Sequence, residues 1–195
     1  MNKQKRKYQQ ILSAAVSVFA QYGYHRAQVS KIAEMANVAD GTIYLYFKNK
    51  EDLLIAVFEE KIGHFIDCIE EGIMKETNVL DQLYRLVDLH LSLLESKPDL
   101  AVVTQLELRQ SKYVIQEKLN RILQKYFNLI DSIIVKGQEE QIISERIDKY
   151  VVRNMIFGTL DQTVTSWVIS EQTYSLHEQA GQIKQLLLQG LVNYR

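Results

Sequence analysis

The residues of this chain best suited to chemistry are Gly41, Thr42, Tyr44, Leu45 and Tyr46, followed by Lys48 and Lys50. The chemistry is non-covalent: hydrogen bonds, apolar contact and charge aimed at a nucleic acid. On a helical wheel of about 100° per residue, Ile43 and Phe47 point together into a core. Gly41 and Leu45 point the opposite way, with Tyr44 on one flank and Thr42 and Tyr46 on the other. A residue without a side chain lets the backbone approach DNA closely. Leu45 offers an apolar surface to a thymine methyl, and Thr42 a hydroxyl to a base edge or phosphate. The phenols of Tyr44 and Tyr46 reach phosphates, which set the docking angle rather than the sequence read. Lys48 and Lys50 add charge beside a helix N-terminus, an anion-friendly end. Ser30 and Lys31 on the preceding helix join the same DNA-binding surface. The alternative is that Tyr44, Tyr46 and Phe47 are core aromatics and the lysines a solvated turn. Two helices across a tight turn with an outward Gly/Thr/Leu face favour DNA.

No constellation for catalysis competes with this reading. His64, His90 and His177 are scattered, no Ser/His/Asp or Cys/His grouping has a motif spacing, and no glycine-rich phosphate loop occurs. Glu70-Glu71 and Glu139-Glu140 read as solvated faces. An enzyme is not expected, and neither is a metal or cofactor. The single Cys68 excludes an internal disulfide and suits a reducing cytoplasm. No apolar run approaches the roughly 20 residues that span a bilayer, and the basic N-terminus lacks a signal peptide's apolar stretch. A cytoplasmic location without membrane partners is the expectation.

The net charge of −1 hides an asymmetry. Residues 1–50 hold eight lysines and arginines against two acids, whereas the rest holds 15 basic and 22 acidic groups. A basic head on an acidic body is the footprint of phosphate contact. One proline, eight glycines and a 47% hydrophobic share describe a chain that is helical throughout, with a substantial core.

The elements that must position the recognition residues follow from periodicity. Apolar residues at 11, 14, 15, 18, 19 and 22 form one helical stripe, which Gly23 terminates. A shorter helix carries Val29, Ile32, Ala33 and Ala36, and Asn37 breaks it before a third helix over 40–47. Asn49, with Asp52 three residues on, caps a fourth. That fourth helix presents Leu54, Phe58, Ile62, Phe65, Ile69 and Ile73 on one face and runs from head to body as a lever. Further helices are expected at 79–95, 99–110, 112–139, 147–170 and 176–193, about nine in all. The expected division is a helix-turn-helix DNA-binding domain over 1–48 and an effector-binding and dimerisation domain over 49–195.

The string GYHRAQVSKIAEMANVADGTIYLYFKNKEDLL closely resembles the N-terminal signature of TetR-type repressors, over roughly residues 8–54. The matching pieces are Gly23-Tyr24, Ile32-Ala33, Val38, Gly41-Thr42-Ile43-Tyr44, Tyr46-Phe47, Lys50 and Leu53. Two positions depart: Gln28 stands where many members have a threonine capping the second helix, and Asp40 where many have lysine or another polar residue. The resemblance implies an all-α fold with a three-helix head on a larger helical body. It also implies a homodimer on a near-palindromic operator, two recognition helices entering major grooves a helical turn or more apart.

The body offers surplus apolar surface with a few placed polar groups. Helical facing selects Phe65, Ile69, Leu89, Leu93, Val103, Leu106, Tyr126, Ile130, Phe157 and Trp167 as an apolar ligand-binding tube. Arg109 and Gln110 stand at its polar end. Core packing is the alternative for most of these, and a bridge to Glu107 or a neighbouring helix is the alternative for Arg109. The segments VTQLELRQS (103–111) and MIFGTLDQTVTSWV (155–168), taken with the head, resemble the fatty-acid-degradation branch of TetR-type repressors in Gram-positive bacteria. That resemblance implies a long-chain acyl-CoA effector and control of β-oxidation genes. An efflux regulator receiving cations at Asp161, Trp167 and Tyr126 is the second reading. Met155, Ile156, Leu160, Val164, Trp167 and Val168, with Leu186, Leu187, Leu188, Leu191 and Val192, look like more apolar surface than one subunit can hide. The last two helices are therefore expected to form the dimer.

Overall fold

A computed structural model describes residues 3–107 and 113–191, leaving aside the side chains of 107 and 113–116. Among the described residues ten α-helices and two π-helical turns follow one another, with no strand. They are α1 (Lys3–Arg26), α2 (Val29–Met35), α3 (Asp40–Tyr44), α4 (Lys50–Val57), α5 (Gly63–Ile73) and α6 (Val79–Glu95). Then come α7 (Pro98–Val102), α8 (Tyr113–Glu139), α9 (Lys149–Ile169) and α10 (Leu176–Leu191). The π turns are Phe58–Ile62 and Val103–Glu107. No described helix is long and apolar enough to cross a membrane.

The chain forms two compact units. The first comprises Met1–Gly63 and Asp99–Ile122. Its core is the predicted stripe of α1, with Ile11, Ala15, Val18 and Phe19 buried, packed on α2, α4 and the second π turn. Gly23 breaks α1 with φ 74°, a left-handed conformation costly for any residue with a Cβ. Asn37 is left-handed too (φ 52°). The amide of Val38 reaches back to the Ala33 carbonyl at 3.0 Å, closing α2 in a Schellman-type stop that turns the chain into α3. At α4 the Asn49 side chain accepts from the Asp52 amide (2.8 Å) while the Asp52 carboxylate accepts from the Lys48 amide (3.3 Å). This is the reciprocal cap foreseen from the sequence.

Three expected helices differ. The third ends at Tyr44 rather than at 47, because the amides of Leu45 and Tyr46 tighten to i−3 bonds with the carbonyls of Thr42 and Ile43 (3.2 and 3.0 Å), while Phe47 stays buried as Ile43 does. The fourth is not one uninterrupted α-helix, since the π turn Phe58–Ile62 separates α4 from α5. The cause lies in the spacing. From Leu54 to Ile73 the stripe takes 19 residues for five turns, where an α-helix uses about 18. One extra residue is what a π turn absorbs, and all six stripe residues are buried. The helix expected at 99–110 starts with Pro98 in its first turn and becomes π-helical from Val103, and its residues beyond 107 lie outside the described part.

The second unit comprises His64–Pro98 and Leu123–Arg195. Its centre is α6 packed against α9 and α10. Leu86, Val87, Leu91, Ile156, Leu160, Val164, Ile183 and Leu187 are buried there. The Glu95 carboxylate accepts from the amides of Leu176 and His177 (2.9 and 3.2 Å), so α6 caps the N-terminus of α10. Lys184 of α10 pairs with Asp88 of α6 at 2.8 Å. These contacts correct the argument from surplus apolar surface. Ile156, Leu160, Val164, Trp167, Val168, Leu187 and Leu191 are buried within the chain itself, and Leu188 is half-buried. Only Met155 and Leu186 of the described members stay exposed, and Val192 lies outside the described residues.

Candidate nucleic-acid interface and effector core

In the first unit α3 is held from behind and bare in front. Ile43 and Phe47 are 2% and 5% exposed, whereas Tyr44 is 57% and Leu45 82% exposed. An isolated leucine on a surface needs no explanation, but one beside an exposed tyrosine and an exposed glycine on a two-helix turn makes a contact face. Nothing lies within 4 Å of the point where a Cβ on Gly41 would stand, so that position faces outward. Ser30 and Lys31 are exposed on α2, and Thr42 is half-buried. Lys31 makes a solvated pair with Glu34 at 3.4 Å, weak enough for a phosphate to replace. Gln28 caps α2 by position only, with no side-chain hydrogen bond, as its departure from the family's threonine foreshadowed.

Two expected contacts have a more internal placement. The Tyr46 ring lies 6.1 Å from that of Tyr8, and its hydroxyl donates to the Gln4 carbonyl at 3.5 Å. Tyr46 thus ties the recognition turn to α1. Lys50 donates its ammonium to the carbonyls of His25 (3.1 Å) and Ala27 (3.0 Å) and stands 4.8 Å from the centre of the Tyr24 ring. Burial lowers its pKa. Lys50 therefore fastens α4 to the end of α1, and Lys48 stays exposed. The α4 N-terminus that these lysines flank is already closed by Asn49 and Asp52. Lys3, Lys5 and Arg6 are exposed at the start of α1 and extend the positive surface. Charge composition had signalled them, but the motif reading did not single them out.

In the second unit the structure brings together Phe65, Tyr126 and Phe157 from the expected tube. Phe65 and Tyr126 centroids are 6.2 Å apart, and Tyr126 and Phe157 6.1 Å, both edge-on. Ile69 and Ile130 are fully buried, and Leu89 and Leu93 half-buried. Trp167 is buried with its indole N–H donated to the Tyr174 carbonyl at 2.7 Å, which anchors the turn after α9. Val103 and Leu106 belong to the first unit, while Arg109 and Gln110 lie outside the described residues. An open groove of about 560 Å³ runs along α1 past Arg6, Gln9, Ser13 and Asn37, and none of the expected effector residues borders it.

The residue that sequence reasoning passed over is His90. It sits inside the aromatic cluster, 4% exposed, 5.3 Å from Phe65 and with Nδ1 2.7 Å from the Tyr126 hydroxyl. Burial pushes its pKa down to about 3, so it is neutral at any physiological pH, and burial raises that of Tyr126. The signal was there: Leu83, Leu86, Val87, His90, Leu91 and Leu94 form the inner stripe of α6, which puts a histidine where a leucine would be expected. Among the described residues no group of three or more His, Cys, Asp or Glu could hold a metal ion.

Comparison with known proteins fits both halves. Residues 11–57 match the family described as "Bacterial regulatory proteins, tetR family", and residues 58–190 match "YsiA-like protein, C-terminal region". The chain is 50% identical to the fatty acid metabolism regulator protein of Bacillus subtilis over 98% of its length and 99% of that protein's. Among solved structures, it is similar to the transcriptional regulator FadR of Bacillus subtilis in complex with stearoyl-CoA. The TM-score is 0.89 at 49% identity, covering 94% of this chain and 98% of that one. The fatty acid degradation regulator FadR of Bacillus halodurans is equally similar, with a TM-score of 0.89 at 49% identity, covering 94% and 99%. A recognition face on a three-helix head and a helical C-terminal region matched over nearly their full lengths lead to one conclusion: the chain belongs to the tetR family of bacterial regulatory proteins.

Proposed function

We propose that this protein is a cytoplasmic, homodimeric repressor of fatty-acid-degradation genes that binds a near-palindromic operator and leaves it when a long-chain acyl-CoA binds. The observation that carries the DNA half is the exposed Gly41–Tyr44–Leu45 face over buried Ile43 and Phe47. The effector half is supported by near full-length similarity to a regulator solved with stearoyl-CoA and by the buried aromatic cluster around Tyr126. Functionally the chain divides into a DNA-binding head over 1–48 and an effector and dimer body over 49–195. Phe65, Ile69, Leu89, Leu93, Ile130 and Phe157 line the acyl path together with Tyr126, and Arg109 and Gln110 serve its polar end.

Dimerisation through α9 and α10 rests on the faces they leave uncovered. Val151, Met155, Gly158, Gln162 and Ile169 form an exposed stripe on α9, and Gly181, Leu186 and Gly190 are exposed on α10. Nothing lies within 4 Å of a Cβ placed on Gly158, Gly181 or Gly190. Exposed glycine inside a helix costs about 1 kcal/mol relative to alanine, and close approach of a partner helix is what offsets it.

The mechanism is a population shift. Acyl-CoA weakens operator binding only in so far as it prefers the conformation that does not fit DNA, and about 1.4 kcal/mol of preference changes affinity tenfold. Fluorescence anisotropy on a palindromic duplex tests the reading. Binding must weaken steeply with salt, and palmitoyl-CoA, but neither free palmitate nor a cationic dye, must release the DNA. Release by the dye alone would favour the efflux-regulator reading, and absence of salt-sensitive binding would remove the DNA role.

A further inference from the structure

His90 has two nitrogens and, among the described residues, one partner. Nδ1 is 2.7 Å from the Tyr126 hydroxyl, while Nε2 is buried without a hydrogen bond. The tautomer follows from counting protons. If Nδ1–H donated to Tyr126, the phenol's own hydrogen and the Nε2 lone pair would both lack a partner. If Tyr126 donates to Nδ1, only the Nε2–H is left over. The second arrangement leaves one group unsatisfied instead of two and is the stable one. A neutral N–H donor therefore stands among Phe65, Tyr126 and Phe157 with nothing to donate to. An unmatched buried donor is costly, and a native fold that keeps one calls for a reason.

We propose that the Nε2–H of His90 is the donor to the carbonyl oxygen of the bound acyl thioester, which makes His90 a specificity-determining residue of the effector site. This rests on the acyl-CoA reading above. An alkyl chain suits the aromatic surroundings but has no acceptor, and the thioester carbonyl is the one neutral acceptor attached directly to it. A free carboxylate fits worse, since a full charge would have to be stripped of water beside a neutral ring. Tyr126 acts through His90, as a positioning residue that fixes the tautomer.

The test compares stearoyl-CoA with its thioether analogue S-octadecyl-CoA, in which a CH2 replaces the carbonyl, as agents that release operator DNA from the full-length protein. The wild type should need roughly tenfold more thioether than thioester, the worth of one buried hydrogen bond. In His90→Phe that ratio should fall close to one. Tyr126→Phe should lower the ratio partway, because the freed imidazole can change tautomer, and this variant decides the matter if His90→Phe does not fold. Equal potency of the two compounds on the wild type, or a ratio unchanged in the variants, overturns the proposal. Failure of both compounds to release the operator would instead overturn the acyl-CoA reading itself.

Discussion

Replacing His90 by phenylalanine should flatten the acid side of the protein's stability profile. In the unfolded chain a histidine titrates near its ordinary value of 6.5, whereas in the fold burial holds His90 to about 3. The folded pKa is depressed, so the native state binds the proton less readily than the unfolded state. Stability is fully present above the unfolded pKa and falls as the pH drops from 6.5 toward 3. Each pH unit in that window costs about 1.4 kcal/mol, so lowering the pH from 7 to 5 should remove about 2 kcal/mol through this one group. That is a sizeable share of a typical domain's stability. The assay is urea unfolding of wild type and His90→Phe at both pH values, followed by circular dichroism. All other titrating groups are common to the two proteins, so the difference between their pH slopes isolates His90. The wild type should lose about 2 kcal/mol more than the variant. Parallel losses would mean that His90 is accessible to protons in the fold, and the account of its burial and neutrality would fail.

Other perturbations separate contact from scaffold. Tyr44→Ala and Leu45→Ala remove exposed side chains and should leave the thermal midpoint within a degree or two, while operator affinity measured by anisotropy drops about tenfold for each. Lys48→Ala should lower the slope of log affinity against log salt by about one without changing stability. Lys50→Met, by contrast, deletes two hydrogen bonds, to the carbonyls of His25 in α1 and of Ala27 just after it, and should cost about 1–2 kcal/mol of unfolding free energy, discounted for partial exposure. A Lys50→Met protein as stable as wild type would show those bonds to be idle. Gly158 is exposed and a Cβ placed there meets nothing within 4 Å, so Gly158→Leu should keep the helical content while sedimentation shifts from dimer to monomer. An unshifted dimer would place the interface elsewhere.

Much of the helical order was legible because amphipathic periodicity is a local property of the chain. Asn37, Asn49 and Pro98 marked turns and starts by chemistry that acts over three or four residues. Even the π turn was written in the 19-residue spacing from Leu54 to Ile73, although reading it required testing five turns against 3.6 residues each. The outward set at Gly41, Tyr44 and Leu45 followed from a helical wheel, because burying Ile43 and Phe47 leaves those positions no other direction.

Contacts between residues far apart in the chain were not available to that kind of reading. Lys50 meets the carbonyls of His25 and Ala27 only because α4 docks on α1. His90 meets Tyr126, 36 residues away, only because α6 and α8 bring their inner faces to one point. Periodicity says that a face is apolar, not what covers it, and so the faces of α9 and α10 assigned to a partner proved to be packed largely on α6 and on each other. Local sequence settled which helices form and which way their stripes point. Tertiary packing settled which polar groups lose their water, because desolvation depends on every neighbour in space and on very few along the chain.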